Sequence, residues 1–181
     1  MKRFLPALLL AATLPAAAEK ADVYRQTTIK CDECRFDSVT SKANMAGNII
    51  ITRGTLRIEA DRGEALRSPE GYQSAAVQAD PGRKVRFRQK SDGPGEVWME
   101  GEASRVEYDE RSGMVKLFDE GRVRRVVDGT AGDEIQGDAI IYNLRTEMID
   151  IRPLAPGSRG TIILQPKRKP PAAAVATTEK P

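Results

Sequence analysis

Cys31 and Cys34 are the side chains whose spacing most directly suggests chemistry. A Cys-x-x-Cys pair catalyses thiol–disulfide exchange when its first cysteine begins a helix in a βαβ unit, because the helix dipole lowers the thiol pKa. Here the pair lies in a segment with strand-like alternation, which argues against oxidoreductase activity. In a straight strand, residues three apart point to opposite faces, so a disulfide between them requires a local turn or bulge. The sequence leaves three states open: a structural disulfide, free thiols, and pairing with another molecule.

The remaining candidates for catalysis are weak. The sequence contains no histidine, which removes Ser-His-Asp triads, histidine-activated cysteines and histidine zinc sites. The acidic pairs at positions 119–120 and 133–134 adjoin glycine-containing turns, where solvated carboxylates are expected. The segment Gly129-Thr130-Ala131-Gly132 lacks the helix and the lysine of a phosphate-binding loop. We therefore predict a protein that is not an enzyme, with no catalytic residues, no metal site and no cofactor.

A tetrapeptide pattern of apolar, any, small and acidic residue occurs four times and indicates repeated strand units. Its copies begin at Ile29, Ile58, Met99 and Ile135. They lie roughly 30 to 40 residues apart, which is typical of stacked supersecondary units that share one core.

Most of the chain alternates apolar and charged residues with a period of two, which predicts strands with one buried face. The run Leu56-Arg57-Ile58-Glu59-Ala60 shows the pattern clearly. Turns rich in glycine, proline and aspartate separate such runs. Because outward positions are mainly charged, one face of each sheet should meet water while the other packs against a second sheet. We predict an all-β fold of antiparallel hairpins, built as a sandwich or jelly roll.

The two ends of the chain differ in composition from this strand-patterned part. Lys2 and Arg3 precede an apolar stretch and the small residues Ala16-Ala17-Ala18, which predicts a cleaved export signal over residues 1–18. Residues 19–165 would form the folded domain, and residues 166–181, rich in proline and alanine, a flexible tail. Loss of Lys2 and Arg3 removes most of the formal net charge of +3, so no nucleic-acid partner is expected.

Three segments, taken together, resemble the LptA family of periplasmic lipopolysaccharide export proteins, also described as OstA-like. The segments are residues 46–61, 99–109 and 135–142, and the likeness extends over most of the strand-patterned part. It implies an open, V-shaped antiparallel β-jelly roll in the periplasm. The apolar interior of this fold would accept the acyl chains of lipopolysaccharide.

The resemblance also implies partners. Lipopolysaccharide, through its lipid A part, would be the cargo. Head-to-tail self-association would build a bridge from an LptC-like inner-membrane protein to an LptD-like outer-membrane translocon. The edges used would be residues 27–29 at one end and residues 140–151, with 162–164, at the other. Cys31 and Cys34 depart from the family pattern in the first strand.

A shielding role has an independent physical basis. An acyl chain of about twelve carbons costs on the order of 10 kcal/mol to expose to water, at roughly 0.8 kcal/mol per methylene. The family motif, matched position by position, places these inward residues in the lipid groove: Thr27, Ile29, Leu56, Ile58, Val85, Phe87, Val106, Tyr108, Val115, Leu117, Ile140, Tyr142 and Ile149. Each of these residues could equally well pack in an ordinary hydrophobic core without contacting lipid. Two alternative functions therefore stay open: a structural or scaffold protein of the envelope, and a carrier of another amphiphile.

Overall fold

The computed structural model describes residues 22, 25–92 and 95–166. The predicted signal peptide, residues 1–18, lies outside the described residues, as does the predicted tail after Pro166. Among the described residues, no helix has the length and apolarity needed to cross a membrane. The strands in this part of the chain are β1 (Thr27–Lys30), β2 (Glu33–Asp37), β3 (Lys42–Arg53), β4 (Leu56–Arg67), β5 (Gln73–Gln78), β6 (Val85–Lys90), β7 (Val97–Ala103), β8 (Arg105–Asp109), β9 (Met114–Val127), β10 (Thr130–Asn143), β11 (Ile149–Arg152) and β12 (Thr161–Ile163).

The strands form a meander of bent units, here called rungs. Four rungs are the long strands β3, β4, β9 and β10, and the others are pairs of short strands: β1 with β2, β5 with β6, β7 with β8, and β11 with β12. Both members of each short pair hydrogen-bond to the same long strand, and every pairing is antiparallel. Each rung therefore contributes to two sheets. The first sheet contains β2, β5, β8 and β11, and the second contains β1, β6, β7 and β12, each with half of every long strand.

Each rung bends where it passes from one sheet to the other, here called its corner. In β3 the corner is at Gly47 and Asn48, whose φ angles are 73° and 43°, and the register with β4 shifts at the same place. In β9 it is at Asp119 and Glu120, both with φ of 62°. These are β-bulges, in which an additional residue bends the strand. Gly47 adopts the positive φ without the steric cost of a Cβ.

In β4 and β10 the corner also reverses the alternation of side chains. In β4, Ile58 faces the core before the corner residue Asp61, and Ala65 packs against the core after it. In β10, Ile140 and Ile135 face inward on opposite sides of the corner. An uninterrupted alternation would turn Ala65 and Ile135 to the outer face. The bend thus allows both sheets to direct apolar side chains into the same core.

The repeated tetrapeptide marks these corners. In three of its copies the final acid, Asp32, Asp61 or Asp138, occupies a corner and accepts a hydrogen bond from the corner of the next rung. The donors are the Asn48 side-chain amide at 2.7 Å, the Asp80 backbone N–H at 2.8 Å and the Leu154 backbone N–H at 3.4 Å. In the remaining copy, Glu102 lies just before the corner and pairs with Arg122 at 3.5 Å. The motif therefore joins neighbouring rungs along the vertex where the two sheets meet.

The core lies between the two sheets, which pack closely face to face. The Phe87 ring of the second sheet lies 6.0 Å from the Tyr142 ring of the first, measured between centroids. Gly101 allows this approach, because a Cβ there would collide with the Phe87 ring and lie 3.0 Å from Leu117 Cδ2. Two sheets that meet at their corners and remain unclosed at their outer rungs confirm the predicted open, V-shaped antiparallel β-jelly roll.

We expect Asp61→Ala to destabilise the fold by about 2 kcal/mol, because it leaves the Asp80 N–H without its acceptor and removes the 2.8 Å ion pair with Arg83. The free energy of unfolding in urea measures the effect. Asp150→Ala, on an exposed position of β11, is the control and should change stability by less than about 0.5 kcal/mol. Equal effects of the two substitutions would contradict a structural role for the corner acid.

Candidate lipid-binding site

An apolar cavity of about 120 Å³ opens between the two sheets at the N-terminal end of the meander. We call it the edge cavity. The second sheet contributes Thr27, Ile29 and Ile51 to its walls, while the first contributes Phe36, Ala43, Ala65, Ala75 and Tyr108. It exists because, in the part of the chain that the structure describes, β1 and β2 pair with β3 alone, so their inward side chains have a neighbouring strand on one side only. The Phe36 side chain is accordingly 66% exposed although it faces this space.

The edge cavity is small in this form of the protein. A water molecule occupies about 30 Å³ of liquid, so the cavity corresponds to roughly four water molecules and accommodates a short apolar segment. Three alanines, Ala43, Ala65 and Ala75, create the space on the first sheet because they project little beyond the backbone. The Thr27 hydroxyl is buried here without a hydrogen-bond partner among the described residues.

The predicted lipid-binding residues all belong to strands, but the structure divides them into three groups. Thr27, Ile29 and Tyr108 line the edge cavity. Ile149 lies half-buried on β11, opposite Tyr142, at the other end of the meander. The rest are at most 3% exposed and fill the sealed core: Leu56, Ile58, Val85, Phe87, Val106, Val115, Leu117, Ile140 and Tyr142. They are sealed because the central rungs are paired on both sides.

Sequence reasoning missed several residues of the cavity wall. Phe36 and Cys34 are two residues apart on β2 and point to the same, inner side. Ala43 lies directly opposite Phe36 on β3. Ala65 and Ala75 form the next pair across β4 and β5. The sequence did contain a sign of the cavity, namely small alanines at inward strand positions. A search for large apolar residues does not detect them.

A buried polar cluster closes one side of the edge cavity. Arg53, 6% exposed, donates from Nη1 to the Tyr108 hydroxyl at 3.1 Å and from Nη2 to Glu110 Oε1 at 2.5 Å. Glu110 Oε2 also accepts the Gln73 N–H at 2.8 Å. We call Arg53, Tyr108 and Glu110 the polar clamp. Arg53 belongs to the second sheet. Tyr108 lies on β8 of the first sheet, and Glu110 directly follows that strand. The clamp therefore joins the two sheets at the N-terminal opening of the cavity.

The surroundings of the clamp shift two of its pKa values. Burial alone would lower the pKa of Arg53, but the hydrogen bond to Glu110 and the electrostatic interactions with Tyr108 and Glu110 raise it above its ordinary value. Burial raises the pKa of Tyr108, and the neighbouring guanidinium opposes that rise. The clamp therefore holds a permanently charged arginine beside a neutral phenol at neutral pH.

Cys31 and Cys34 form a disulfide in the structure, with their Cα atoms 5.8 Å apart. The local turn that such a bond requires is the corner of the first rung, between β1 and β2. There the Asp32 N–H donates to the Gly47 carbonyl at 2.9 Å, which holds the turn against the corner of β3. The bond thus links the two short strands that border the edge cavity.

The C-terminal end of the meander is also open. Within the described residues, β11 and β12 pair with β10 alone, so each exposes one backbone edge. Ile162 is 62% exposed and Leu164 72%. Of residues 140–151, which we expected at this edge, residues 140–142 are instead covered by β11. The described part of the chain therefore has two unpaired edges, each built from two short strands around a corner.

We expect Glu110→Gln to cost about 3 kcal/mol of stability, because it removes the carboxylate that pairs with the buried Arg53 guanidinium at 2.5 Å. The double variant Arg53→Met/Glu110→Leu should cost less, since it leaves no unpaired charge. Urea unfolding measures both. The exposed pair Lys42–Glu64, 2.6 Å apart, supplies the control: Glu64→Gln should change stability by less than about 0.5 kcal/mol. A double variant worse than Glu110→Gln would disprove this account of the clamp.

We expect the double substitution Cys31→Ser/Cys34→Ser to increase amide hydrogen exchange in β2, whose residues are all exposed. The lost global stability should be at most about 2 kcal/mol, because the closed loop is very short. Reductant should bring the unsubstituted protein to the same exchange rates, while the β9–β10 hairpin keeps its protection. Unchanged exchange in β2 would show that the disulfide does not hold this strand.

The sequence and the fold both match known proteins. Residues 28–148 match the family model described as LptA/(LptD N-terminal domain) LPS transport protein. The chain is 30% identical over 160 residues to the lipopolysaccharide export system protein LptA of Escherichia coli K12, covering 88% of this chain and 82% of that protein. It is 26% identical over 146 residues to the protein of the same name from Haemophilus influenzae, with coverage of 81% and 80%.

The structure resembles that of LptH, described as the LptA homologous periplasmic component of the lipopolysaccharide transport device from Pseudomonas aeruginosa. The TM-score is 0.68 at 16% identity, covering 80% of this chain and 99% of LptH. At this identity the likeness concerns the fold alone. Because the family model spans more than half of the chain, the protein belongs to the LptA/LptD N-terminal domain family of lipopolysaccharide transport proteins.

Proposed function

We propose that this protein is a periplasmic lipopolysaccharide-binding transport protein, which shields acyl chains and bridges inner-membrane and outer-membrane export complexes. The observation that carries the proposal is the edge cavity, an apolar space between two sheets that opens at an unpaired edge. Its lining by Ile29, Phe36 and Ile51 suits a methylene chain. A chain whose exposure costs roughly 0.8 kcal/mol per methylene gains from each segment placed there.

Shielding a whole acyl chain requires more room than the cavity offers in this form. The sheets would part at the N-terminal mouth, where they are held together by the polar clamp rather than by interlocking apolar side chains. The central core would remain closed, because its side chains are packed from both sheets. The unpartnered Thr27 hydroxyl could then bond an ester, amide or hydroxyl oxygen of the lipid.

The two open edges support head-to-tail self-association. In the first sheet, β2 runs away from its corner and β11 runs towards its corner; in the second, β1 runs towards its corner and β12 away. Placing the C-terminal edge of one protomer against the N-terminal edge of the next would therefore pair β11 with β2 and β12 with β1, both antiparallel. Such strand addition satisfies exposed backbone groups and continues both sheets. An LptC-like protein and an LptD-like translocon would occupy the free ends of the assembly.

Export to the periplasm would use the signal at residues 1–18. The mature protein would comprise the jelly roll, residues 19–165, and the flexible tail, residues 166–181. The composition of the two ends supports this organisation.

A structural scaffold with a filled core is the competing function, favoured by the sealed state of the central rungs. Photocrosslinking in cells separates the two. A photoreactive amino acid at Ile29 or Phe36, which line the edge cavity, should give adducts with lipopolysaccharide. The same amino acid at Lys30 or Arg35, the neighbouring positions on β1 and β2, should give few because these side chains face outward. Equal labelling at all four positions, or none at any, would reject the transport proposal.

A further inference from the structure

The outer face of the second sheet bears a charged depression on the side opposite the core. Two cavities of about 410 and 440 Å³ both include Arg57, Glu59, Arg86 and Glu102 in their walls, so they form one continuous depression, here called the arginine groove. It runs across β3, β4, β6, β7 and β9. Seven of its charged side chains are basic and four are acidic, so the groove is locally positive in a protein whose formal net charge is only +3.

The acidic residues of the groove are already engaged. Glu100 lies 2.8 Å from Arg124 and 3.5 Å from Arg88, so one carboxylate serves two guanidinium groups. Glu59 lies 2.7 Å from Arg57, and Glu102 lies 3.5 Å from Arg122. Arg83 pairs with Asp61, Lys84 with Glu120, and Arg122 also with Glu134. Among the described residues, Arg86 is therefore the basic residue of the groove that no ion pair neutralises.

Arg86 lies at the centre of this excess. It stands on β6 directly opposite Glu59 of β4 and Glu102 of β7 in the strand register. Both glutamates instead pair with other arginines, and Arg86 forms no ion pair within the described ranges. Arg86 also borders both cavities. Its exposed guanidinium therefore presents a free fork of donors, the geometry that matches a phosphate group.

We propose that the arginine groove binds the phosphorylated saccharide head of the lipid. Guanidinium groups around Arg86 would hold the phosphates, and the wall glutamates would accept hydrogen bonds from sugar hydroxyls. The groove begins on β3, next to the edge strand β1, and Arg86 on β6 lies three strands from β1, or about 15 Å at the usual strand spacing. A head group whose acyl chains enter the edge cavity can therefore reach it around the outside of the second sheet. The proposal rests on the proposed transport function.

The test uses a bisphosphorylated glucosamine disaccharide without acyl chains, titrated into the full chain by calorimetry. We expect binding that weakens with salt, and a loss of about tenfold in affinity for Arg86→Gln. Arg86→Lys, which keeps the charge but not the fork, should retain part of the affinity. Arg62→Gln is the control. Arg62 is an exposed arginine in the half of β4 that belongs to the first sheet, outside the groove, where it pairs with Asp80. This variant should bind the disaccharide normally. The unphosphorylated disaccharide should not bind.

A second measurement separates this proposal from the transport function. An apolar dye bound in the edge cavity should be displaced by the complete lipid and not by the disaccharide. If the disaccharide fails to bind, or binds equally well to folded Arg86→Gln protein, the groove proposal is wrong, even when the complete lipid displaces the dye. If the disaccharide binds through Arg86 but the lipid never displaces the dye, the groove proposal stands and the transport proposal falls. Circular dichroism of each variant confirms that it is folded.

Discussion

The corners, at which every rung passes from one sheet to the other, are the constraint on which the rest of the structure depends. In β4 and β10 a single corner residue shifts the inward positions by one, whereas in β3 and β9 two corner residues are accommodated and the inward positions keep their alternation. Both arrangements direct the apolar side chains of the two strand halves into one core. Asp61 occupies the corner of β4, opposite the two corner residues of β3, and accepts a hydrogen bond from the backbone of the next rung. The alignment of such corners along one line creates the vertex of the V and sets the two sheets face to face.

The meander built in this way is open at its ends, so the burial of inward side chains decreases from the central rungs to the outer ones. Central rungs have neighbours on both sides, so residues such as Phe87 and Leu117 lie in a sealed core. The first rung has one neighbour, so Ile29 and Phe36 line a space with an exit. The core supplies stability, and the edge supplies an apolar surface that lipid or another strand can cover. Cargo and partner would therefore meet the protein at adjoining surfaces.

Charge plays two different roles in this fold. Arg53 and Glu110 are buried and hydrogen-bonded, so each depends on the other, and together they set how closely the sheets approach at the N-terminal mouth. The arginines of the outer face are exposed, and their individual ion pairs contribute little to stability. An exposed, incompletely paired cation such as Arg86 is instead available for binding. The same residue type thus supports closure in one place and recognition in another.

The sequence by itself determined the strand class, the repeated corner motif and the family, because alternation and motif spacing are local properties that survive without coordinates. It also placed Ile58, Val85 and Leu117 inward. Only the tertiary structure decided which inward residues are sealed and which border a space, since that depends on how many neighbours each rung has and on the opposite sheet. It likewise brought Arg53 to Glu110, and Phe36 to Ala65, from distant positions. Such contacts arise from the packing of one bent sheet half against another, which no local pattern encodes.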